Sequence, residues 1–322
     1  SAQGYSRGFS KAAGASIWSA DRGADLLSQG GDGTWTFRRA DDDAVLTFSP
    51  SGKLQSELKR NGWLTSYAYD SAGRLLTVTN SFGRKLTLGY NVSGQLTSVL
   101  TPDLRTISYA YDSVGRLSAV TYPDATTRRF VYENSAFPQA LTGIFGEDSQ
   151  RWGTFDYDSS GYAVGSQLAG GVNAYQVNYF SPATANIVDA LGTSRDYAYG
   201  TTQGALTATS SSLASGSGGA DAARRVQDAN GLVTKETDFN GAITTTSWDV
   251  ARRLPTTVVR ASGTPEAQTV STQWHPTFSL PAAITEAGRT TSYTYDASGN
   301  TLSKTVTDTT TNKAQLWQWT YN

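Results

Sequence analysis

The segment from Tyr69 to Leu75 reads Tyr-Asp-Ser-Ala-Gly-Arg-Leu, and two close copies of it follow. Tyr90 to Leu96 reads Tyr-Asn-Val-Ser-Gly-Gln-Leu, and Tyr111 to Leu117 reads Tyr-Asp-Ser-Val-Gly-Arg-Leu. Each copy begins 21 residues after the one before it (90 − 69 and 111 − 90). A fixed period of this length is typical of a protein built from one recurring supersecondary unit. The sequence therefore predicts a tandem repeat array.

The same motif, an aromatic residue followed by a polar residue and then by Gly, continues along the chain with a less regular spacing. We predict that its residues are the structural anchors of the repeats: Tyr69, Asp70, Gly73, Tyr90, Asn91, Gly94, Tyr111, Asp112, Gly115, Tyr157, Asp158, Gly161, Trp248, Asp249, Tyr295, Asp296 and Gly299. Residues 1–47 are predicted to be a strand-rich lead-in, and residues 48–322 the repeat array. The Ser/Gly-rich stretch at 210–221 is predicted to be a flexible insertion.

Each repeat alternates apolar and polar residues on the way to its anchor. Leu86, Leu88 and Tyr90 show this period of two, which predicts a strand with its aromatics on one face. A repeat of 21 residues has room for two strands of about seven residues and two turns. The fold class expected is all-β, an antiparallel sheet of tandem hairpins that curls, with almost no helix.

The polar and Gly positions have distinct expected roles in the first turn of each repeat. The Asp side chain accepts hydrogen bonds from turn amides two or three residues on, and the Gly takes the positive φ that closes the turn. The Leu and Val of a repeat, such as Leu96 and Val99, are three residues apart. If both side chains lie on one face, a β-bulge must lie between them.

These residues resemble the RHS/YD-repeat family, which includes bacterial Rhs polymorphic toxins, the BC components of insecticidal Tc toxins, and the animal teneurins. The resemblance covers about residues 30 to 322 and rests on the segments that start at Tyr69, Tyr111 and Tyr295. It implies an antiparallel ribbon that spirals into a hollow shell, and, for bacterial members, an unfolded C-terminal toxin held inside it.

One feature of the complete family pattern is missing from this sequence. The shell of the family usually ends in an Asp-Pro-x-Gly-Leu motif that directs self-cleavage, and no Asp-Pro dipeptide occurs here. Self-cleavage and a toxin tail are therefore not assigned to this chain.

Composition narrows the possible functions further. The formal net charge is −1, which predicts no nucleic-acid partner. No apolar run reaches the 18 or so residues of a membrane-spanning helix, and no signal peptide is predicted at the N-terminus. With no Cys, no disulfide, thiolate metal site or cysteine nucleophile is available.

Histidines and clusters of acidic residues are the usual candidates for catalytic or metal-binding sites. His275 is the only histidine and stands where other repeats have Asp, so we interpret it as a turn residue. The run from Asp41 to Asp43 and the loop from Asp228 to Gly231 lack the remaining oxygen ligands of a calcium loop and are interpreted as solvated turns. No metal or other cofactor is predicted.

The remaining charged and aromatic candidates also favour structural roles. Glu147 and Asp148 are adjacent, so on a strand they point to opposite faces and cannot act together as a glycosidase pair. The Arg pairs at 128–129, 224–225 and 252–253 are expected to cover apolar surface with their stems and to reach turn Asp residues. The aromatics at alternate positions are expected to pack on the sheet, with Tyr111 as a buried ring.

Two functional hypotheses from different classes follow. In the first, the chain is a non-catalytic segment of a bacterial shell whose partners are the rest of that shell and its toxin cargo, secreted or at the cell surface. In the second, the repeats form an adhesin that binds surface glycans or proteins. A face of Thr, Ser and Tyr around a cavity favours the shell, whereas a filled interior with clustered exposed Trp favours the adhesin. No constellation of residues supports an enzyme.

Overall fold

A computed structural model describes residues 8–20, 25–202, 205–214 and 222–321. The described residues form 29 strands, and the only helical element among them is a single 3₁₀ turn at Ala169–Gly171. The prediction of an all-β fold with almost no helix is confirmed.

The first fifteen strands include the most regular repeats. They are β1 Phe9–Ser10, β2 Ile17–Ala20, β3 Leu26–Gln29, β4 Trp35–Arg38, β5 Val45–Phe48, β6 Leu54–Leu58, β7 Leu64–Tyr69, β8 Leu75–Asn80, β9 Lys85–Tyr90, β10 Leu96–Leu100, β11 Thr106–Tyr111, β12 Leu117–Thr121, β13 Thr127–Val131, β14 Gly143–Phe145 and β15 Arg151–Tyr157. From β7 to β13 each strand has five or six residues, slightly fewer than the seven expected.

The other fourteen strands have four to nine residues each. They are β16 Ala163–Leu168, β17 Tyr175–Ser181, β18 Thr184–Val188, β19 Ser194–Thr202, β20 Ala205–Ser211, β21 Arg224–Gln227, β22 Val233–Thr237, β23 Ile243–Asp249, β24 Leu254–Arg260, β25 Gln268–Trp274, β26 Pro281–Glu286, β27 Arg289–Tyr295, β28 Thr301–Asp308 and β29 Ala314–Gln318. Of the predicted insertion at 210–221, Ser210 and Ser211 belong to β20, and residues 215–221 lie outside the described residues.

All strands belong to one antiparallel sheet that does not close. In every register that the structure defines, a strand pairs with its neighbour in sequence, for example β11 with β12 and β12 with β13. This topology follows from the short turns, because a parallel crossover needs a dozen or more residues.

A β-bulge recurs in the repeats at the place that the Leu-to-Val spacing predicts. Leu96 lies opposite Tyr90 and Ser98 opposite Gly89, so that Thr97 is the extra residue between Leu96 and Val99. The pairing of β11 with β12 shifts in the same way after Leu117. The bulge reverses the alternation once, which lets Leu and Val lie on the same face.

The chain divides into two compact units. Unit 1 consists of residues 1–66, 200–210 and 214–322, and unit 2 of residues 67–199 and 211–213. The regular repeats from Tyr69 to Val131 lie in unit 2, whereas unit 1 combines the first repeats with the last ones.

Very little of the chain is buried. Among the described residues the buried apolar side chains are Ala44, Ala185, Ala222 and Leu232, and no large side chain is fully buried. The accessible surface is 19551 Å² for a chain of 34.3 kDa. A compact monomer of this mass exposes about 13,000 Å². The sheet is therefore a single layer without a packed core behind it.

Candidate functional site

The anchor rings make one recurring hydrogen bond to the preceding repeat. The Tyr111 hydroxyl donates to the Leu96 carbonyl at 2.9 Å, and the Trp248 indole nitrogen donates to the Val233 carbonyl at 2.9 Å. The same bond, with donor–acceptor distances from 2.7 to 3.0 Å, is made by Tyr90, Tyr132, Tyr157, Tyr179, Trp274, Tyr295 and Tyr321.

The bulge explains why these carbonyls need a side-chain donor. Leu96 precedes the bulge, and the described pairs between β10 and β11 begin only at Ser98. The two strands diverge there, so the Leu96 carbonyl has no strand partner on that side, and an unpaired buried carbonyl is costly. The anchor ring fills the gap between the strands. A phenol or an indole is suitable because both combine a large apolar body with a donor at its tip.

The polar residue after each anchor caps the adjoining turn. The Asp112 carboxylate accepts from the amides of Val114 at 3.0 Å and Arg116 at 2.9 Å, and from the Arg116 guanidinium at 2.6 Å. The capped amides of Asp112 thus lie two and four residues on, where two or three were expected, whereas the Asp249 carboxylate accepts from the Arg252 amide, three residues on, at 3.1 Å. Asp158, Asp189, Asp228, Asp238 and Asp296 cap their turns in the same manner. These bonds, the Arg116 amide first, hold the pKa of Asp112 below its ordinary value.

The turns close with a residue in the left-handed region. Gly115 has φ of 88° and donates its amide to the Asp112 carbonyl at 3.0 Å. In other turns a side-chain-bearing residue holds this conformation, as Leu104 does with φ of 63° and Arg253 with φ of 53°. The Trp248–Asp249 turn has no anchor Gly, and Arg253 takes that conformation there.

The two faces of the sheet differ in chemistry. One face, which we call the anchor face, carries rings such as Tyr109 and Tyr111. The opposite face, which we call the hydroxyl face, carries rows of directly opposed Ser and Thr residues. One row crosses six strands of unit 1: Ser247, Thr257, Ser271, Thr285, Thr290 and Thr307. A second row in unit 1 comprises Ser28, Thr36, Thr47, Ser56 and Ser66, and a row in unit 2 comprises Ser98, Ser108, Thr121 and Thr127. Thr, Ser and Tyr therefore do not share one face. The Ser and Thr rows lie on one face of the sheet, and the Tyr rings lie on the other.

Within unit 1, residues far apart in the sequence meet at what we call the seam. The Arg38 guanidinium donates to the Thr277 carbonyl at 2.8 Å. The Ser279 amide donates to the Asp43 carboxylate at 3.2 Å, and its hydroxyl donates to the Ala40 carbonyl. These residues are 236 to 239 positions apart.

Asp43 is the acidic residue at the centre of the seam. It is only 7% exposed and has φ of 57°. Its carboxylate lies 3.1 Å from the Arg38 guanidinium and 3.3 Å from that of Arg60. Its charge is therefore balanced by one guanidinium at the end of β4 and one in the turn after β6, as a buried carboxylate requires.

Arg60 and a neighbouring cleft complete the seam. A Cβ on Gly299 would lie 2.6 Å from Cδ of Arg60, so a larger residue there would require the Arg60 side chain to shift, and Gly299 also has φ of 77°. Burial raises the pKa of the nearby Tyr295 to about 12. A cleft of about 530 Å³ opens beside the seam, and Asp25, Asp43 and Arg252 are among the residues that line it.

Comparisons with known families match several parts of the repeat array. Residues 85–171 match the family described as Teneurin YD-shell, and residues 48–85 and 228–265 match the RHS Repeat family. The matched segments contain the anchors Tyr69, Tyr90, Tyr111, Tyr157 and Trp248. The chain belongs to the RHS/YD-repeat family.

Solved structures of Tc toxins share the fold of this YD-repeat chain. A crystal structure of TcdB2-TccC3 without its hypervariable C-terminal region matches 92% of the chain at 13% identity, with a TM-score of 0.54. A Tc holotoxin pore structure from Photorhabdus luminescens matches 91% at 12% identity, with a TM-score of 0.51. The YD-repeat chain spans about a fifth of those toxin chains, 20% and 21% respectively. No curated protein sequence matches it.

The YD-repeat turns also account for the histidine. His275 follows the anchor Trp274, and its Nδ1 accepts from the amides of Phe278 at 3.1 Å and Thr277 at 3.3 Å. Its ring stacks on Phe278 with the ring centres 4.8 Å apart. An imidazole nitrogen thus makes the bonds that a carboxylate oxygen makes in other repeats.

The acidic run from Asp41 to Asp43 is not the solvated turn that the sequence predicts, because Asp43 is buried at the seam. Asp42 bonds Arg39 at 2.5 Å and Lys59 at 3.2 Å, and the Arg39 guanidinium chiefly holds the pKa of Asp42 well below its usual range. In the loop from Asp228 to Gly231, Asp228 caps the turn. Among the described residues, no group of three or more acidic or histidine side chains is placed to hold a metal ion.

Glu147 and Asp148 lie in the turn between β14 and β15, so the prediction that they point to opposite faces of a strand is wrong. Glu147 pairs with Arg128 at 2.9 Å, and Asp148 caps the turn through the Gln150 amide at 3.0 Å. Each carboxylate thus has a separate local partner.

The hydrogen bonds and ion pairs described for the paired arginines go to groups other than the turn Asp residues that were predicted. Arg252 donates to the carbonyls of His275 and Phe278, both at 2.8 Å, and Arg253 donates to the Asn230 carbonyl at 2.7 Å. Arg225 pairs with the strand residue Glu236 at 2.7 Å. The reach of Arg252 and Arg253 to neighbouring turns was not visible in the sequence, because it depends on which turns lie side by side.

Tyr111 is half-buried and not fully buried as expected, since the single-layer sheet leaves one side of its ring without cover.

Among the described residues, no helix has the length and apolar character needed to cross a membrane.

Proposed function

We propose that this RHS shell-like scaffold is a non-catalytic wall segment that encloses a toxin or another unfolded cargo. The observation that carries the proposal is the single-layer sheet. It exposes 19551 Å² where a compact monomer of its mass exposes about 13,000 Å². A layer with both faces uncovered is suited to separating one space from another.

The chemistry of the two faces supports an assignment of the hydroxyl face to the cargo side. An unfolded polypeptide exposes apolar side chains, which associate with apolar surface through the hydrophobic effect. Rows such as Ser247, Thr257 and Ser271 offer hydroxyl groups in place of an apolar or charged surface. A wall of this kind holds a chain without binding any segment of it tightly.

A passive role is also supported by how the polar groups are used. Asp112 and Asp296 cap turns, and the anchor phenols bond carbonyls. The chain has no cysteine, so it has no Cys–His nucleophile system. A Ser–His system would need His275, the only histidine of the sequence, and its Nδ1 caps a turn. The partners proposed are the other repeats of the parent shell and its cargo, in a secreted or cell-surface toxin system of a bacterium.

Protease protection in the parent protein tests the proposal. The parent is treated with a nonspecific protease, and the digestion of its cargo segment is compared with that of the same segment expressed alone. We expect the enclosed segment to survive much longer while its amides exchange as fast as those of an unfolded chain. Equal cleavage in both samples, or slow exchange typical of a folded domain, would contradict the proposal.

A binding assay distinguishes the shell hypothesis from the adhesin hypothesis. The isolated chain is applied to immobilised glycans and to cell-surface proteins, alongside a variant with Thr257→Lys on the hydroxyl face and one with Trp317→Ala on the exposed last strand. Saturable binding that Trp317→Ala abolishes would favour the adhesin. The shell hypothesis expects no saturable binding by any of the three proteins.

A further inference from the structure

The seam differs from the junctions between paired strands that the structure describes in unit 1. Strands β23 and β24 are joined by five residue pairs, and β27 and β28 by seven. Between residues 38–60 and 275–299, by contrast, the described contacts are side chains meeting turns, and no strand pair crosses the seam. The seam can therefore separate without breaking a ladder of backbone hydrogen bonds.

The contacts of the seam converge on one side chain. Asp43 accepts from Arg38 and from the Ser279 amide, and it pairs with Arg60, which in turn covers Gly299. Its φ of 57° lies in the left-handed region, where an L-residue carries backbone strain. Strain of this kind persists only where the surroundings hold it in place, and it favours release when they do not.

We propose that the seam is an electrostatic latch with Asp43 as its central residue, and that it opens while the strands on both sides stay paired. The negative charge of Asp43 holds the Arg38 guanidinium in position to meet the 277–279 turn and the Arg60 side chain in position beside Gly299. Loss of that charge leaves Arg38 and Arg60 without a counter-ion in a half-buried site, which favours solvation of both and separation of the seam. The latch does not depend on the identity of any cargo.

Asp43→Asn removes the charge of the side chain and leaves the backbone conformation unchanged. Asn has nearly the size of Asp and tolerates the left-handed conformation equally well, so the local strain is unchanged. The matched control is Asp103→Asn, which removes an exposed ion pair with Arg105 inside a single turn of unit 2.

Spin labels measure the opening directly, because the chain contains no native Cys. One pair of labels, at Asp41→Cys and Thr277→Cys, spans the seam on exposed side chains. A second pair, at Ser247→Cys and Ser271→Cys, spans paired strands of the same unit. In the otherwise unchanged chain and in Asp103→Asn, both pairs should give one narrow distance distribution.

In Asp43→Asn we expect a second, longer distance across the seam and no change across the strands. Exchange of the Ser279 amide should rise about tenfold, the scale of one lost hydrogen bond. Raising the salt concentration should widen the seam distribution of the unchanged chain and affect Asp43→Asn less. An unchanged seam distance in Asp43→Asn would overturn the latch. So would simultaneous broadening of both label pairs, because opening would then be unfolding.

Discussion

The repeats around residues 90–132 and the seam of unit 1 are stabilised in different ways. In the repeats each bond joins residues close in sequence: the Tyr111 hydroxyl reaches Leu96, and Asp112 reaches Arg116. At the seam Arg38 reaches Thr277 and Ser279 reaches Asp43 across more than 230 residues. The first set recurs in many of the repeats, whereas the second is described once.

This difference predicts how the stability of each region responds to a single substitution. In a repeat array a unit contacts mainly its neighbours, so the loss of one anchor weakens a local stretch. The contacts of the seam are not repeated elsewhere in the chain as described, so one substitution there can separate the two sides of the seam. The four predictions below test this contrast, in order of decreasing effect.

The largest effect is expected for Tyr111→Ala. It removes a half-buried ring from the gap between β10 and β11 and should lower the free energy of unfolding by about 2 kcal/mol. Hydrogen exchange should accelerate between residues 90 and 132 and remain unchanged in the strands of unit 1. A urea titration gives the global value.

Tyr111→Phe is the control, because it keeps the ring and loses only the donor to the Leu96 carbonyl. The cost should be about 1 kcal/mol. If Tyr111→Phe costs as much as Tyr111→Ala, the hydroxyl and not the ring maintains the junction.

Arg252→Ala should come next, with a loss of about 1.5 kcal/mol, the value for hydrogen bonds from a charged group. Arg252 holds both carbonyls of the 275–278 turn that faces the seam, so this turn should exchange faster. Arg253→Ala, which removes a single bond to Asn230, should affect only the 228–231 turn. Faster exchange at 275–280 in both variants would contradict a specific role of Arg252.

Leu104→Gly should stabilise the chain by about 1 kcal/mol. Leu104 has φ of 63° and is 80% exposed, so Gly relieves strain while little buried surface is lost. Gly94→Ala is the reverse test, because a Cβ at Gly94 would contact nothing within 4 Å, and only its φ of 79° is unfavourable. Thermal melts should therefore shift upward for Leu104→Gly and downward for Gly94→Ala.

The smallest effect is the pH dependence of one turn carboxylate. Turn amides and Arg116 lower the pKa of Asp112 in the folded chain. A carboxylate with a lowered folded pKa stabilises fully above its unfolded pKa of about 3.9, and this stabilisation is lost as the pH falls through the folded value. Asp112→Asn keeps the cap, as Asn91 does for the Gln95 amide at 2.9 Å, but cannot titrate.

The stability difference between the unchanged chain and Asp112→Asn should accordingly be greatest near neutral pH and shrink below about pH 4. Urea midpoints of both proteins at several pH values measure it. A difference that is constant with pH would show that Asp112 acts only as a hydrogen-bond acceptor.

Most of the fold could be read from local patterns. The 21-residue period gave the repeat, the alternation before Tyr90 and Tyr111 gave the strands, and the Leu96-to-Val99 spacing gave the bulge. The turn role of His275 could also be inferred, because it stands in a slot that Asp fills elsewhere. The donor role of the anchor rings was not foreseen, although the interchange of Tyr with Trp at 248 and 274 was a usable signal: both have an N–H or O–H at the tip.

The sequence alone determined which residues form strands, turns and bulges, because these depend on backbone preferences and hydrogen bonds that act over a few residues. Only the tertiary structure decided that the Ser and Thr residues align in rows opposite the Tyr rings, since each row depends on the register of several strands. It alone decided that Asp43 is buried against Ser279 and that Gly299 lies beneath Arg60. Those contacts join turns that the sequence separates by more than 230 residues, and no local pattern encodes which distant turn will lie beside another.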